Sequence, residues 1–247
     1  MNTYIKKAMV LAAGLGTRMQ PLTDDIPKPL VVLNGVTLID RVLSHLTANG
    51  ATKIVVNTFY KADQIDAHLQ DRDDIVLSRE AERLETGGGV FNALAQFGDE
   101  PFFVINSDAV WIDGPSPALL RLMKLWDNEN MDALLLMQPM TNVVGVAGMG
   151  DYFMSSPGVA RRRSEGEVAP YLFAGVQILH PRLFDSLTHD ARSTGAFSLN
   201  VLYDQAQAAG RLYGMVHDGE WYHVGTPEEL RIAGDDIAHG NVSVNSR

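Results

Sequence analysis

The sequence predicts an α/β fold in which a mixed, mostly parallel central sheet is flanked by helices and carries a small antiparallel insertion. Three observations point there. Apolar runs bounded by turn residues recur as KAMVLAA, KIVVNT, DIVLS, PFFVIN and DALLLMQ, which is the signature of buried strands. Segments of helical spacing lie between most of these runs, the rhythm of β-α-β units. From about Val143 the character changes, and VVGVAGMGDYFMSSPGVARRRSEGE reads as short strands and turns.

Taken in order, the N-terminus MNTYIKKAMVLAAG places charge before a short apolar run, as a signal peptide does. That run leads into a glycine turn and continues as patterned sequence, so it reads as the first strand. Ile39, Val42, Leu43 and Leu46 follow VTL, and Leu119, Leu120, Met123 and Trp126 follow SPA, so each segment can lay one apolar stripe on a sheet. YLFAGVQIL reads as a longer strand, FSLNVLYDQAQAAG as a helix, RLYGMVH and WYHVG as strands, and TPEELRIAGDDIAH as the last helix. Thr226 fits its N-cap, Pro227 its first position and Glu229 the partner place of a capping box. No repeat, low-complexity tract or linker intervenes, so residues 1–247 read as one domain.

The 247 residues are 46% hydrophobic, enough for a well-buried core. The apolar runs fall far short of the roughly 18–20 residues that cross a bilayer, so no membrane partner is expected. Without cysteine there is neither disulfide nor thiolate chemistry, which suits a reducing compartment, and the cytoplasm is the expected location. Lys plus Arg is 20 against 30 for Asp plus Glu, a net charge of −10, which disfavours nucleic acid and anionic lipid as partners. An anionic ligand would need a local positive site.

The turn LAAGLGTRMQPLT offers one. Glycines after a first strand let bare backbone N–H groups approach an anion. GLGTRM supplies Gly14 and Gly16 of a dinucleotide-binding G-x-G-x-x-G but has Met19 at the third glycine, which disfavours an oxidoreductase. Thr17-Arg18-Met19 after Gly16 excludes a Walker A loop. What remains is Arg18 and, in DDIPKPL, Lys28 between Pro27 and Pro29, prolines that fix the backbone and aim the lysine. The bland alternative is a glycine turn with two solvated cations.

LAAGLGTRMQPLT followed by PKPL resembles the signature of the sugar-1-phosphate nucleotidyltransferases, which join a nucleoside triphosphate to a sugar phosphate and release pyrophosphate. The resemblance continues through ETGGG at Glu85–Gly89, NSD at Asn106–Asp108, FAGVQILHP at Phe173–Pro181 and WYHVGTPEEL from Trp221, nearly the whole chain in the right order. ETGGG, GAFSL and the compact length look most like the N-acetylmuramate-1-phosphate uridylyltransferases of peptidoglycan recycling; mannose- and heptose-1-phosphate guanylyltransferases look similar. The resemblance implies a Rossmann-like core, with the nucleotide part over about residues 1–140 and the sugar part over about 141–225. Because the chain ends soon after the last helix, the hexapeptide-repeat acetyltransferase domain of bifunctional relatives is not expected.

By resemblance, the backbone at Leu11, Ala13 and Gly14, with Gly16 and Thr17, would cradle the nucleotide. Arg18 would meet the β and γ phosphates and Lys28 the α phosphate. Gly87 and Gly88, read as a loop before a VFNALAQF helix, would lie against base and ribose, with a helix N-terminus favouring an anion behind them. Asp108, at the end of PFFVIN, would be catalytic and hold Mg²⁺, with Mn²⁺ as the other candidate; a turn aspartate is the bland reading. Asn106, Gly175, Val176 and Asn200 would contact the sugar. Many relatives carry an aspartate two residues after the tryptophan as a second metal ligand, where this chain has His223, a poorer ligand for Mg²⁺. His223 would then bind metal weakly, bond to phosphate or water, or mark reduced activity. The relatives' E-K-P lysine has no counterpart in SEGEVAPY, and Ser198 stands where a lysine is frequent. Arg161-Arg162-Arg163 would suit an acidic sugar, though a charge run is usually a solvated strand end.

The partners expected are therefore a nucleoside triphosphate and a sugar-1-phosphate, with no oligomeric state assigned. The competing class is a non-catalytic nucleotide-sugar-binding regulatory subunit.

Overall fold

A computed structural model describes residues 4–143 and 148–244. The chain begins with β1 (Lys7–Leu11), a short hairpin of β2 (Val32–Leu33) and β3 (Val36–Thr37), and α1 (Leu38–Ala48). It continues through β4 (Lys53–Thr58), α2 (Ala62–Leu69), β5 (Ile75–Arg79), α3 (Glu85–Ala93), β6 (Phe102–Asn106), β7 (Val110–Ile112), α4 (Ala118–Leu125) and β8 (Ala133–Pro139). The remainder is β9 (Tyr152–Ser155), β10 (Val159–Arg162), β11 (Tyr171–Leu179), α5 (His189–Thr194), α6 (Leu199–Ala208), β12 (Leu212–Val216), β13 (Glu220–Tyr222) and α7 (Pro227–Val244).

Nine strands form the central sheet in the order β5-β4-β1-β6-β11-β8-β12-β10-β9. β1 lies between parallel partners β4 and β6, and its Ala8, Met9 and Val10 are completely buried, as expected of a strand covered on both faces. Alternation divides them. Ala8 and Val10 join the α1 stripe of Ile39, Val42, Leu43 and Leu46, with Leu119, Leu122, Met123 and Trp126 of the α4 region, on one face. Met9 packs on the other with Val90 and Ala93 of α3 and Leu199, Leu202, Tyr203 and Ala206 of α6. The mixed sheet and its flanking helices are those expected from the sequence.

The change of character after Val143 also has its counterpart. β9 and β10 form an antiparallel hairpin, β10 pairs antiparallel with β12, and β11 runs antiparallel to both β6 and β8. The stretch 144–147 within that reading lies outside the described residues. WYHVG is shorter as a strand than expected: β13 ends at Tyr222 and leaves His223 beyond it. α7 starts as predicted, with the Glu229 N–H donating to Thr226 Oγ1 at 3.2 Å. The Glu229 carboxylate, however, accepts from the Gly225 N–H at 3.0 Å instead of closing the box on Thr226.

A third apolar cluster ties the opening turn to the C-terminal part, with Met19, Val31, Leu33, Leu38, Tyr222, Val224, Ala233 and Ile237 packed together. Met19, the residue that spoils the dinucleotide motif, is therefore a core anchor for the turn, worth about 1.5–3 kcal/mol in burial. Across the sheet, the buried Tyr203 hydroxyl donates to Gln177 Oε1 at 2.6 Å, and burial pushes the Tyr203 phenol well above its usual range. Tyr203→Phe is expected to cost about 1–2 kcal/mol, or roughly 2–8 °C in Tm, by leaving that amide oxygen unpaired; thermal melting checks it. No described helix is long and apolar enough to cross a membrane.

Candidate active site

The site forms where four parallel strands end. Leu11 closes β1, Asn57 nearly closes β4, Glu80 follows β5, and Asn106 closes β6, the carboxyl edge at which open α/β sheets receive ligands. Gly16, at φ 66°, turns the chain after β1. A Cβ there would lie 3.0 Å from Lys28 Cβ and 3.2 Å from Thr23 Cγ2, so both its backbone angle and its bareness are used to seat the turn against the PKP segment. Gly14 is different, because a Cβ on it would meet nothing within 4 Å.

Pro27 is extended and Pro29 buried, and between them Lys28 starts a short 3₁₀ turn. Its ammonium pairs with the Asp108 carboxylate. Asp108 is aimed by backbone: the Ser107 N–H donates to the Leu11 carbonyl at 3.0 Å and the Ala109 N–H to the Asn106 carbonyl at 3.0 Å. This ion pair stands where two cavities meet. One, of about 380 Å³, is lined by Leu11, Ala13, Gly14, Leu15, Lys28, Asn57, Glu80, Thr86, Asn106, Asp108 and Ser198 among others. The second, of about 260 Å³, includes Arg18, Asn106, Asp108, Asp151, Gly175, Trp221 and His223.

The structure thus brings Leu11, Ala13, Gly14, Lys28, Asn106 and Asp108 to the first cavity, and Arg18, Gly175 and His223 to the second. Gly16 and Thr17 line neither and act through the turn. Gly175, at φ 77°, sits in an irregularity of β11 opposite β8 and lets Asn106 approach, a Cβ there being 3.0 Å from Asn106 Nδ2. Val176 is completely buried, its side chain in the core. Asn200 belongs to a neighbouring cavity beyond Phe173.

Gly87 and Gly88 require correction. They lie inside α3, which begins at Glu85, and both are buried and line neither cavity. Their N–H groups donate to the Phe197 carbonyl at 2.8 and 3.0 Å, while the Leu199 N–H donates to Thr86 Oγ1 at 3.0 Å. The two helix starts cap each other, so the Gly87 and Gly88 N–H groups are taken up by protein, while Glu85 and Thr86 at the same helix start line the first cavity.

Sequence reasoning missed Asn57 and Glu80. The Asn57 amide accepts the Ala12 N–H at 2.8 Å and donates to Glu80 Oε1 at 2.7 Å; Glu80 Oε2 accepts the Leu84 N–H at 3.2 Å. This buried chain joins the opening turn to the start of α3, and only its partners' convergence reveals it. Asn57→Ala strands one donor and one carboxylate oxygen, and a loss of about 2 kcal/mol, roughly 4–8 °C in Tm, is expected in a thermal melt.

His223 Nε2 lies 3.7 Å from Glu229 Oε2. A Cβ on Gly225 would fall 2.6 Å from His223 Nε2 and 3.3 Å from Arg18 Nη1, so the imidazole and guanidinium close around that glycine. Among the described residues no group of three or more His, Asp or Glu is placed to hold a metal ion. The donor at the junction is a hard carboxylate, Asp108, a ligand type that would suit Mg²⁺.

Two adjoining cavities with a cation and a carboxylate at their junction are the arrangement of an enzyme that joins two anionic substrates, a nucleotidyltransferase. The chain belongs to the MobA-like NTP transferase domain family, whose profile matches residues 8–199. It is 43% identical to the N-acetylmuramate alpha-1-phosphate uridylyltransferase of Caulobacter vibrioides, over 94% of this chain and 99% of that protein. Identity to the enzyme of the same name from Neisseria meningitidis is 34%, over 92% and 96%. A probable mannose-1-phosphate guanylyltransferase of Oryza sativa is 28% identical, over 90% of this chain and 62% of its own length. In fold, the chain matches a UDP-glucose pyrophosphorylase bound to UDP-glucose with a TM-score of 0.75 at 18% identity, covering 96% of this chain and 99% of that one. It matches HddC of Yersinia pseudotuberculosis with a TM-score of 0.72 at 21% identity, covering 94% and 100%.

Proposed function

We propose that this protein transfers a uridylyl group from UTP to N-acetylmuramate-1-phosphate, giving UDP-N-acetylmuramate and pyrophosphate, as a step of peptidoglycan recycling in the cytoplasm. The observation that carries the reaction is the Lys28–Asp108 pair at the junction of the two cavities. The choice of base and sugar draws on the two uridylyltransferase relatives, which are more similar than the guanylyltransferases.

In this reading UTP occupies the larger cavity and the sugar phosphate the smaller. A sugar-phosphate oxygen attacks the α-phosphorus in line, forming the new P–O bond, and the bond to the β-phosphate breaks with its electron pair leaving on pyrophosphate. Catalysis is then mostly positioning and positive charge. Lys28 neutralises the α-phosphate. Arg18, which has no carboxylate within 4 Å among the described residues, offers its guanidinium to the remaining phosphates. Asp108 would hold Mg²⁺ or Mn²⁺, which when bound neutralises phosphate charge. His223, held toward Glu229, serves as a hydrogen-bond donor to phosphate or water. Gly14 leaves room for the nucleotide, and Asn106 and Gly175 border the sugar.

The test is pyrophosphate release by the purified protein with Mg²⁺, crossing UTP, GTP, CTP and dTTP against N-acetylmuramate-, mannose- and glucose-1-phosphate. A dominant signal from UTP with N-acetylmuramate-1-phosphate is expected. A GTP and mannose-1-phosphate signal would move the protein to guanylyl transfer. Silence across the matrix with nucleotide still bound would leave a regulatory subunit.

A further inference from the structure

A third cavity, of about 520 Å³, is walled by Tyr152, Arg162, Arg163 and Asn200 among others. It adjoins the acceptor side, since Asp151 and Phe173 line both. Its charge comes from the arginine run at the end of β10, and the three guanidiniums have different fates. Arg161 makes two bonds to the Glu167 carboxylate, at 2.7 and 3.0 Å, and lies over the Phe153 ring. Arg162 Nη1 sits 2.9 Å from both carboxylate oxygens of Asp204. Among the described residues the Arg163 guanidinium meets only carbonyl oxygens, donating from Nε to Gly150 at 2.7 Å and from Nη1 to Ser164 at 3.4 Å.

Backbone carbonyls hold the Arg163 guanidinium in place without neutralising it. No carboxylate lies within 4 Å of it among the described residues, and the residue is half-buried. Two carboxylates line the same cavity without pairing with it: Glu165, which is solvent-exposed, and Asp151, whose carboxylate accepts the Phe173 N–H at 3.0 Å. A fixed, unneutralised guanidinium on a cavity wall matches the geometry of a ligand carboxylate, which it can take in two parallel bonds.

We infer that Arg163 selects an acidic acceptor sugar by binding the carboxylate of its substituent. The inference rests on the reading that the acceptor is a sugar-1-phosphate, and it deepens that reading: N-acetylmuramate differs from N-acetylglucosamine by a lactyl ether, whose carboxylate is the only added charge. Arg161 and Arg162, already paired, have a structural part, and the cavity that adjoins the acceptor side at Asp151 and Phe173 would give the substituent its place.

The test measures kcat/KM with UTP for N-acetylmuramate-1-phosphate and N-acetylglucosamine-1-phosphate, in the full-length wild type, Arg163→Gln and Arg163→Lys. The acid-to-neutral ratio is expected to fall at least about tenfold in Arg163→Gln, through KM of the acid, and to recover in part in Arg163→Lys. A merely structural role would lower both acceptors together; a ratio that does not move in Arg163→Gln overturns the assignment while leaving the reaction standing. The wild type alone supplies a second measurement, the acid against its neutral methyl amide, which needs no variant to fold. Equal turnover of acid and amide also overturns the assignment, and wild-type turnover of neutral acceptors only, with any nucleotide, overturns it together with the proposed acceptor.

Discussion

Lys28→Met is expected to lower kcat/KM for pyrophosphate release by about 10³-fold while the protein stays folded. The lysine side chain is only 13% exposed, so its charge acts in a cavity where water screens it weakly and where two phosphate-bearing substrates must meet. Methionine fills nearly the same volume and leaves the PKP backbone intact, which separates the charge from the shape. Asp108 loses its partner, but its side chain is 36% exposed and hydrates, so stability should change by no more than about 1 kcal/mol. The loss should fall mainly on kcat, because the charge is needed most where negative charge builds up on the α-phosphate. Lys28→Arg should restore little, since a planar guanidinium is a different shape from a point ammonium held between two prolines. Steady-state pyrophosphate release with a parallel thermal melt checks both parts; unchanged kcat/KM in Lys28→Met would remove this lysine from the mechanism.

Gly88→Ala is expected to destabilise the protein by about 3 kcal/mol or more, roughly 6–12 °C in Tm, and to weaken nucleotide binding with it. A Cβ built on Gly88 would lie 1.9 Å from the Gly195 carbonyl oxygen and 3.1 Å from Leu84 Cβ. Neither obstacle is a flexible side-chain end. The backbone at Gly195 or α3 itself must retreat, and the bonds from Gly87 and Gly88 to the Phe197 carbonyl would stretch as it does. Because Thr86 lines the nucleotide cavity and anchors the Leu199 N–H, that displacement reaches the site. Melting and nucleotide titration by calorimetry test it. A Gly88→Ala protein as stable as the wild type would mean that the two helix starts are not packed this closely.

How much of this was legible beforehand differs from residue to residue. The α1 stripe, four of the five strand runs and the Thr226 cap follow from spacing within a dozen residues and stand where the pattern put them, whereas β5 is an edge strand that exposes Val76 and Leu77, and α4 buries Leu122 more deeply than the expected Leu120. The opening turn, Lys28 and Asp108 were also legible, because glycine, flanking prolines and a strand-end aspartate each signal their local geometry. Gly87 and Gly88 were misread as a loop for the opposite reason. Glycine marks close approach without saying what approaches, and the approaching groups, Gly195 and Phe197, come from far along the chain.

The α/β rhythm, the apolar helix faces and the cationic turn are set locally, since these depend on periodicity and on backbone chemistry that neighbouring residues carry with them. Which charges remain available depends on the folded arrangement. Lys28 finds Asp108, Arg162 finds Asp204, His223 approaches Glu229 and Asn57 reaches Glu80, while among the described residues the Arg163 guanidinium is left with carbonyls. Ion pairing depends on distance and burial in space, and the Arg161-Arg162-Arg163 run, uniform as sequence, becomes three different residues once the sheet brings their partners to them.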